Sequence, residues 1–229
     1  MLTLEAFKNA RNVLQGVLRP TPLIHSPYLS KTCGNNVYLK PENMQVTGAY
    51  KIRGAYYKIS TLSQEEKERG LVTASAGNHA QGVAYAAQAA GVAATIVMPT
   101  TTPLVKVNNT KDYGAQVVLH GEVFDDAAEM AARMAEEQGL TYVHPFNDLT
   151  LATGQGTIAY EIFQDLPDVD VILVPVGGGG LGGIGHTLGM VAGRSRNESP
   201  VFLLLRQPRG LVISTPDFIG AGNLQVFRF

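Results

Sequence analysis

At 229 residues the chain suits one large domain or two small ones, since a domain usually takes about 100–200 residues. Its 18 Lys and Arg against 19 Asp and Glu leave a net charge of −1, which excludes a basic protein that seeks nucleic acid by charge. With 45% hydrophobic and 16% charged residues it can bury a real core, and its one cysteine, Cys33, excludes an internal disulfide framework and fits a reducing compartment.

The N-terminal Met-Leu-Thr-Leu-Glu-Ala-Phe-Lys has neither the basic start nor the apolar stretch of an export signal. No apolar run reaches the roughly 18 residues of a membrane span, so a cytoplasmic protein with no membrane partner is expected. Leu4, Phe7, Val13 and Leu14 recur at helical spacing after Thr3, which predicts a capped helix over 4–14. Arg19-Pro20-Thr21-Pro22 breaks it, Val37-Tyr38-Leu39 is a short strand, and Thr47–Tyr50 is a turn before a helix from Ile52 to Leu62. A regular rhythm then begins. Strands at Leu71–Ala74, Ala93–Met98, Ala115–Leu119 and Leu140–Val143 alternate with helices at Gln81–Ala90, Pro103–Tyr113 and Phe124–Gln138. These helices are closed by Gly91, Gly114 and Gly139. A helix over Thr150–Gln164 and an apolar strand over Val169–Val176 complete the series, ending at four glycines. Continuous apolar strands between glycine-stopped helices describe parallel strands covered on both faces, the α/β class.

The composition shifts near residue 193. Up to Gly193 there are 17 acids and 13 bases, whereas the last 36 residues hold 5 arginines, no lysine and 2 acids. Val201–Leu205 reads as one more strand, but no amphipathic helix follows; the segment is either an irregular surface tail or, the preferred expectation, the product of a truncated or shifted reading frame that stands outside the fold.

Three segments carry chemistry. The strand Val171–Val176 runs into Gly177-Gly178-Gly179-Gly180-Leu181-Gly182-Gly183, where glycines let the backbone approach an anion and helix-start N–H groups point at it. Gly177-x-Gly179-x-x-Gly182 formally matches the dinucleotide fingerprint, yet too little chain follows for a nucleotide domain, and the owner of the phosphate stays open on pattern alone. Lys51 stands at a turn-to-helix junction. A solvated surface lysine is the ordinary reading there, whereas burial or the nearby Arg53 would disfavour its charge and leave the neutral amine that Schiff-base chemistry requires. Ala74–Gly82 follows a strand and opens a helix, so Ser75, Asn78 and the helix-start N–H groups form a cradle for a carboxylate, or else merely cap that helix. His25, His120, His144 and His186 lack metal-ligand spacing, and no Gly-x-Ser-x-Gly elbow is present, so metal and triad hydrolysis are both disfavoured.

Together, Thr47–Ala55 (TGAYKIRGA), Ala74–Gly82 (ASAGNHAQG), Pro99–Pro103 with Lys106 and Tyr113-Gly114-Ala115, Gly154–Thr157 (GQGT) and Pro175–Leu181 (PVGGGGL) stand in an order that resembles the threonine dehydratase (threonine ammonia-lyase) family of fold-type II pyridoxal-phosphate enzymes. The resemblance runs from about residue 1 to residue 190; Ala49-Tyr50-Lys51 replaces the family's usual Ser-Phe-Lys. It implies a tryptophan synthase beta-like architecture of two parallel-sheet domains. These are a large cofactor-binding domain of residues 1–69 and 146–192, incomplete in its second part, a small domain of 70–145, and a divergent tail at 193–229.

By the same resemblance Lys51 would carry pyridoxal phosphate covalently and act as the catalytic base. Asn78 would bond the cofactor ring, and Gly177, Gly178, Gly179, Gly180 and Leu181 would hold its phosphate. Ser75, Ala76, Gly77 and His79 would hold the substrate carboxylate. The implied reaction is dehydration and deamination of L-threonine, and of L-serine, to a 2-oxo acid and ammonia, within threonine catabolism or isoleucine biosynthesis and in a homo-oligomer. Serine racemases carry a serine where Ala76 stands, and alanine transfers no proton, which favours one-base elimination. The alternatives are an inactive truncated fragment of this family, a serine racemase-like relative and, more distantly, a nucleotide-binding regulator.

Overall fold

The computed structural model describes residues 2–176, 211–214 and 223–228. The chain divides into two compact units, Lys51–Gly154 and the remainder, Met1–Tyr50 with Gln155–Phe229. Helix α1 (Leu4–Leu14) buries Phe7, Ala10 and Leu14, and the Thr3 hydroxyl caps it by accepting the Ala6 N–H at 3.1 Å. Strand β1 (Ile24–His25) and helix α2 (Pro27–Cys33) lie between the expected break and the expected strand, where no element was assigned. The local signals for α2 are plain in hindsight: a Ser26 cap, Pro27 in the first turn and Gly34 in the left-handed region at φ 66°. Strand β2 (Val37–Lys40) runs antiparallel to β1 and ends on a buried lysine. Lys40 donates to the Thr21 carbonyl at 2.7 Å and to Glu161 Oε2 at 2.6 Å, the pairing a buried ammonium needs.

The inner unit starts with α3 (Lys51–Ser60) and α4 (Gln64–Glu68). The second was missed, although Ser63 and Glu66 make a capping box. The expected alternation follows: β3 (Leu71–Ala74), α5 (Asn78–Ala90), β4 (Ala94–Met98), α6 (Leu104–Asp112), β5 (Gln116–Leu119), α7 (Phe124–Gln138) and β6 (Thr141–Tyr142). Its sheet has the order β5-β4-β3-β6, and every pair is parallel. Adjacent strand residues divide between two cores. Leu71, Ile96 and Met98 pack with Ala55, Ile59, Val83 and Ala87, whereas Val72, Ala74 and Val97 pack with Ala127 and Ala131 of α7. The central strands β3 and β4 are buried on both faces, as their apolar runs imply, whereas the edge strand β5 is partly exposed.

This unit is wider than the expected 70–145. Helix α3 lays Ala55 and Ile59 on the core of α5, so it clusters with the inner sheet although it precedes it in sequence.

Helix α8 (Leu149–Asp165) spans the division between units. In the outer unit Ile158, Ala159 and Ile162 pack with Val169, Ile172 and Val174 of the segment leading into and along β7 (Val171–Val176). Strands β8 (Leu211–Ser214) and β9 (Asn223–Arg228) complete a sheet of order β1-β2-β8-β7-β9. The pairs β2–β8 and β8–β7 are parallel, and the edges β1 and β9 are antiparallel to their neighbours. The tail was expected to stand outside the fold. That reading is corrected, because two of its segments supply ladder hydrogen bonds, one of them in the middle of the sheet. The strand expected at Val201–Leu205 lies outside the described residues.

One glycine is decisive for packing. A Cβ on Gly154 would lie 2.6 Å from the Arg53 carbonyl oxygen and 2.7 Å from the Gly54 Cα, so α8 meets α3 backbone to backbone there. Gly154→Ala forces apart two backbones that cannot rotate out of the way, and is expected to lose about 1–3 kcal/mol, read as a lower thermal midpoint.

Candidate functional site

The described part of the site is built in the inner unit from the start of α3, the start of α5 and the 143–148 segment between β6 and α8. Lys51 is the first residue of α3 and only 9% exposed. Its ammonium donates to the Pro145 carbonyl at 3.1 Å and lies 5.3 Å from the centre of the Phe146 ring. Burial brings its pKa down to about 8 from an ordinary 10.5. The sequence offered burial or Arg53 as the cause, and burial is the one that acts. Side chains two apart on a helix do not face each other, and Arg53 is itself buried.

Helix α5 begins at Asn78, three residues before the expected start, so Asn78 and His79 belong to its first turn. Gly82, one turn on, allows α5 to approach α3: a Cβ there would stand 3.3 Å from Ile52 N and Lys51 C. Ser75 is buried, and its Oγ accepts the N–H groups of Gly77 and Ala80, both at 3.2 Å. The capping alternative is thus realised, and it leaves something over. With both acceptor sites engaged, the Ser75 hydroxyl has only its proton to offer a ligand. The His79 N–H beside it lies in the first turn, where the helix itself supplies no i−4 acceptor. Ala76 and Gly77 complete the loop, and the Lys106 amine lies 3.9 Å from where a Gly77 Cβ would be. Lys106 entered the sequence analysis only as part of a pattern; its place beside this loop is a tertiary fact.

The 143–148 segment was not singled out as functional, yet it meets both Lys51 and His79. The Val143 carbonyl receives Thr73 Oγ1 at 2.6 Å and His79 Nε2 at 3.4 Å. His144 Nδ1 accepts from the backbone of Phe146 at 3.1 Å and Asn147 at 2.8 Å. Asp148 caps α8 through Thr150 and Leu151 and pairs with Lys58 of α3 at 2.8 Å, which together hold its carboxyl below the ordinary range despite burial. The sequence signal available was the alternation Tyr142, His144, Phe146, whose rings meet edge to face along the segment at 6.0 and 6.1 Å.

His79 is 3% exposed, and its Nδ1 has no hydrogen-bond partner. Burial, then the charge of Lys51, lowers its pKa to about 3, so the ring is neutral at physiological pH. Gly177, Gly178, Gly179, Gly180 and Leu181 lie outside the described residues. Among the described residues no group of three or more His, Cys, Asp or Glu could hold a metal ion, and no helix is long and apolar enough to cross a membrane.

Residues 14–209 match the family model described as pyridoxal-phosphate dependent enzyme. The chain is 57% identical over 181 residues to the L-threonine ammonia-lyase of Thermotoga maritima, covering 79% of this chain and 45% of that protein. It is 50% identical over 182 residues to the catabolic L-threonine dehydratase TdcB of Staphylococcus aureus, covering 79% and 53%. Among solved structures, the processed form of threonine deaminase isoform 2 from Solanum lycopersicum superposes with a TM-score of 0.76 at 42% identity, over 83% of this chain and 54% of that one. Maize serine racemase superposes with a TM-score of 0.79 at 34% identity, over 82% and 58%. The chain spans about half the length of the curated relatives it matches.

Both buried bases couple stability to pH. The unfolded chain holds more protons than the folded one between about 8 and 10.5 at Lys51, so stability rises with pH through that window. Lys51→Met removes the penalty: below pH 8 the variant is expected to melt above the wild type, with the gap closing towards pH 10.5. His79 acts at the acid end. Its contribution is complete above pH 6.5 and is lost as pH falls towards 3, and His79→Gln is expected to flatten the acid side of the melting profile.

Proposed function

The chain belongs to the pyridoxal-phosphate-dependent enzyme family, and from that premise we propose that it is a lyase that dehydrates and deaminates L-threonine, and also L-serine, to a 2-oxo acid and ammonia. One observation carries the reading. The only lysine in the expected motif is buried at a helix start with its pKa brought down to about 8, which makes a neutral nucleophilic amine accessible near physiological pH. That amine fits a carbonyl cofactor, and the donor-only Ser75 hydroxyl at the start of α5 fits a carboxylate.

When bound, pyridoxal phosphate supplies an electron sink for the negative charge that forms at the substrate Cα. The residues of this chain do the rest. Lys51 would hold the cofactor covalently and, as a free amine, would take the substrate Cα proton on Nζ. Ser75, with the N–H groups of Ala76 and His79, would fix the carboxylate, and Gly77, whose own N–H is taken by Ser75 Oγ, completes the loop. Asn78 is the proposed partner of the cofactor ring, and Gly177–Gly180 with Leu181 are the proposed phosphate cradle. Phe146 covers the amine and limits water around it. Ala76 has no proton to give, which favours elimination over racemisation at this site.

The word catabolic in the name of the TdcB relative supports a place in threonine breakdown rather than in isoleucine synthesis. A cytoplasmic homo-oligomer, with an amino acid as its small-molecule partner and no nucleic-acid partner, completes the proposal.

The visible spectrum of the purified chain with added pyridoxal phosphate tests this reading. An absorption band that borohydride abolishes, absent from Lys51→Ala, is expected, together with 2-oxobutanoate formation from threonine that the substitution eliminates. A folded wild-type chain that develops no such band would refute the assignment of Lys51.

A further inference from the structure

We propose that His79 is a positioning residue for Lys51, acting through the 143–148 segment whose carbonyls both side chains grip. The Val143 and Pro145 carbonyls are two residues apart on one short connection. His79 Nε2 reaches the first at 3.4 Å and Lys51 Nζ the second at 3.1 Å. Thr73 Oγ1 shares the Val143 carbonyl at 2.6 Å, so that carbonyl is held from β3 and from α5 at once. Val143 N–H is fixed in turn to the Val72 carbonyl at 2.9 Å. Beyond Pro145, the Asp148–Lys58 pair at 2.8 Å ties the far end of the segment back to α3, the helix that Lys51 opens. The carbonyl that receives the amine therefore lies between two anchors, and His79 is half of the nearer one.

Two features mark His79 as more than filler. Bonding to a carbonyl requires the proton on Nε2, which leaves Nδ1 as a bare acceptor, and that atom is buried without a partner. An aliphatic side chain of similar size would avoid that cost in folding, so a histidine here spends stability on its Nε2–H. The ring must also be neutral to serve. The titratable groups that face it are Lys51 on α3 and His144 and Asp148 on the segment; burial, then Lys51, and to a smaller extent His144 oppose its charge, Asp148 favours it, and the balance keeps the ring neutral, its pKa about 3. A second positive charge is thereby kept from the Lys51 amine, and the segment stays closed over it. Loosening the segment would admit water and return the amine towards ordinary lysine behaviour, because burial is what lowers its pKa.

This inference rests on Lys51 being the functional amine, but its test needs neither cofactor nor turnover. Carbamylation by cyanate consumes only the neutral amine, and peptide mass spectrometry follows Lys51 alone across the neutral-to-alkaline range, with the exposed Lys8 as reference. The wild-type midpoint is expected near about 8. His79→Gln sets an amide N–H near the Nε2 position and is expected to hold that midpoint. His79→Asn has its amide near Nδ1, cannot reach Val143, and is expected to raise the midpoint by about one pH unit or more. An unchanged or lowered midpoint in His79→Asn, or equal shifts in both variants, overturns the proposal. If His79→Asn does not fold, Thr73→Val, which deletes the shorter bond to the same carbonyl, must raise the midpoint instead, and an unchanged value there overturns it equally. A wild type that passes this test yet forms no band with pyridoxal phosphate would refute the proposed function and leave the positioning role standing.

Discussion

Burial of a single amine organises the described site. Lys51 is held under Phe146 and against the Pro145 carbonyl, where its charged form is poorly solvated. A surface lysine at the same helix start would stay protonated at neutral pH and be useless as a nucleophile. The surrounding structure is arranged to keep the amine there. Gly82 lets α5 close on the first turn of α3, and Gly154 lets α8 lie against its second residue pair. The segment between β6 and α8 is pinned at both ends by side chains from β3, α5 and α3. Each device spends stability or conformational freedom on one group, the trade expected where a fold is built around chemistry.

The parallel sheet of the inner unit is what makes this possible. With cores on both faces, the C-terminal ends of its strands open into the connections that hold the candidate site residues, the usual place for ligands in open α/β sheets. Ser75 follows β3 directly, and the 143–148 segment follows β6, the neighbour of β3 in the sheet. Two loops distant in sequence are brought side by side because their strands pair. The elimination chemistry proposed for the chain needs such convergence: a carboxylate site fixed by one loop, and a base whose protonation is set by another.

Family membership explains why these pieces occur together, and the length comparison bounds how far it reaches. Relatives of known name match 79% of the chain while this chain spans 45–53% of them, so their activity comes to it as a proposal resting on Lys51 and Ser75. The outer unit adds a physical observation. Its sheet places β8 between β2 and β7, giving neighbours on both sides to a strand drawn from the compositionally divergent tail.

Much of this was legible in the chain itself. Glycine stops, apolar runs and the spacing of the helices defined the inner α/β unit, because burial on both faces forces a pattern that no other environment requires. Ser75 and Asn78 stood out as candidates because an anion cradle needs polar residues at a strand end and helix start, whereas Lys51 became a candidate only through the resemblance of the whole set of motifs. Short elements escaped although their caps at Ser26 and Ser63 were present, because two to seven residues carry too few apolar positions to show a period. The strands of the tail escaped because the partners of a ladder are chosen across the sheet and not along the chain. What only the tertiary structure decided is the state of the groups: that Lys51 is buried, that His79 is neutral with an unmet acceptor, and that Val143 and Pro145 supply the carbonyls between them. A pKa depends on the solvent and charges around a group, and residues 94 apart in sequence become neighbours only when β3 and β6 pair.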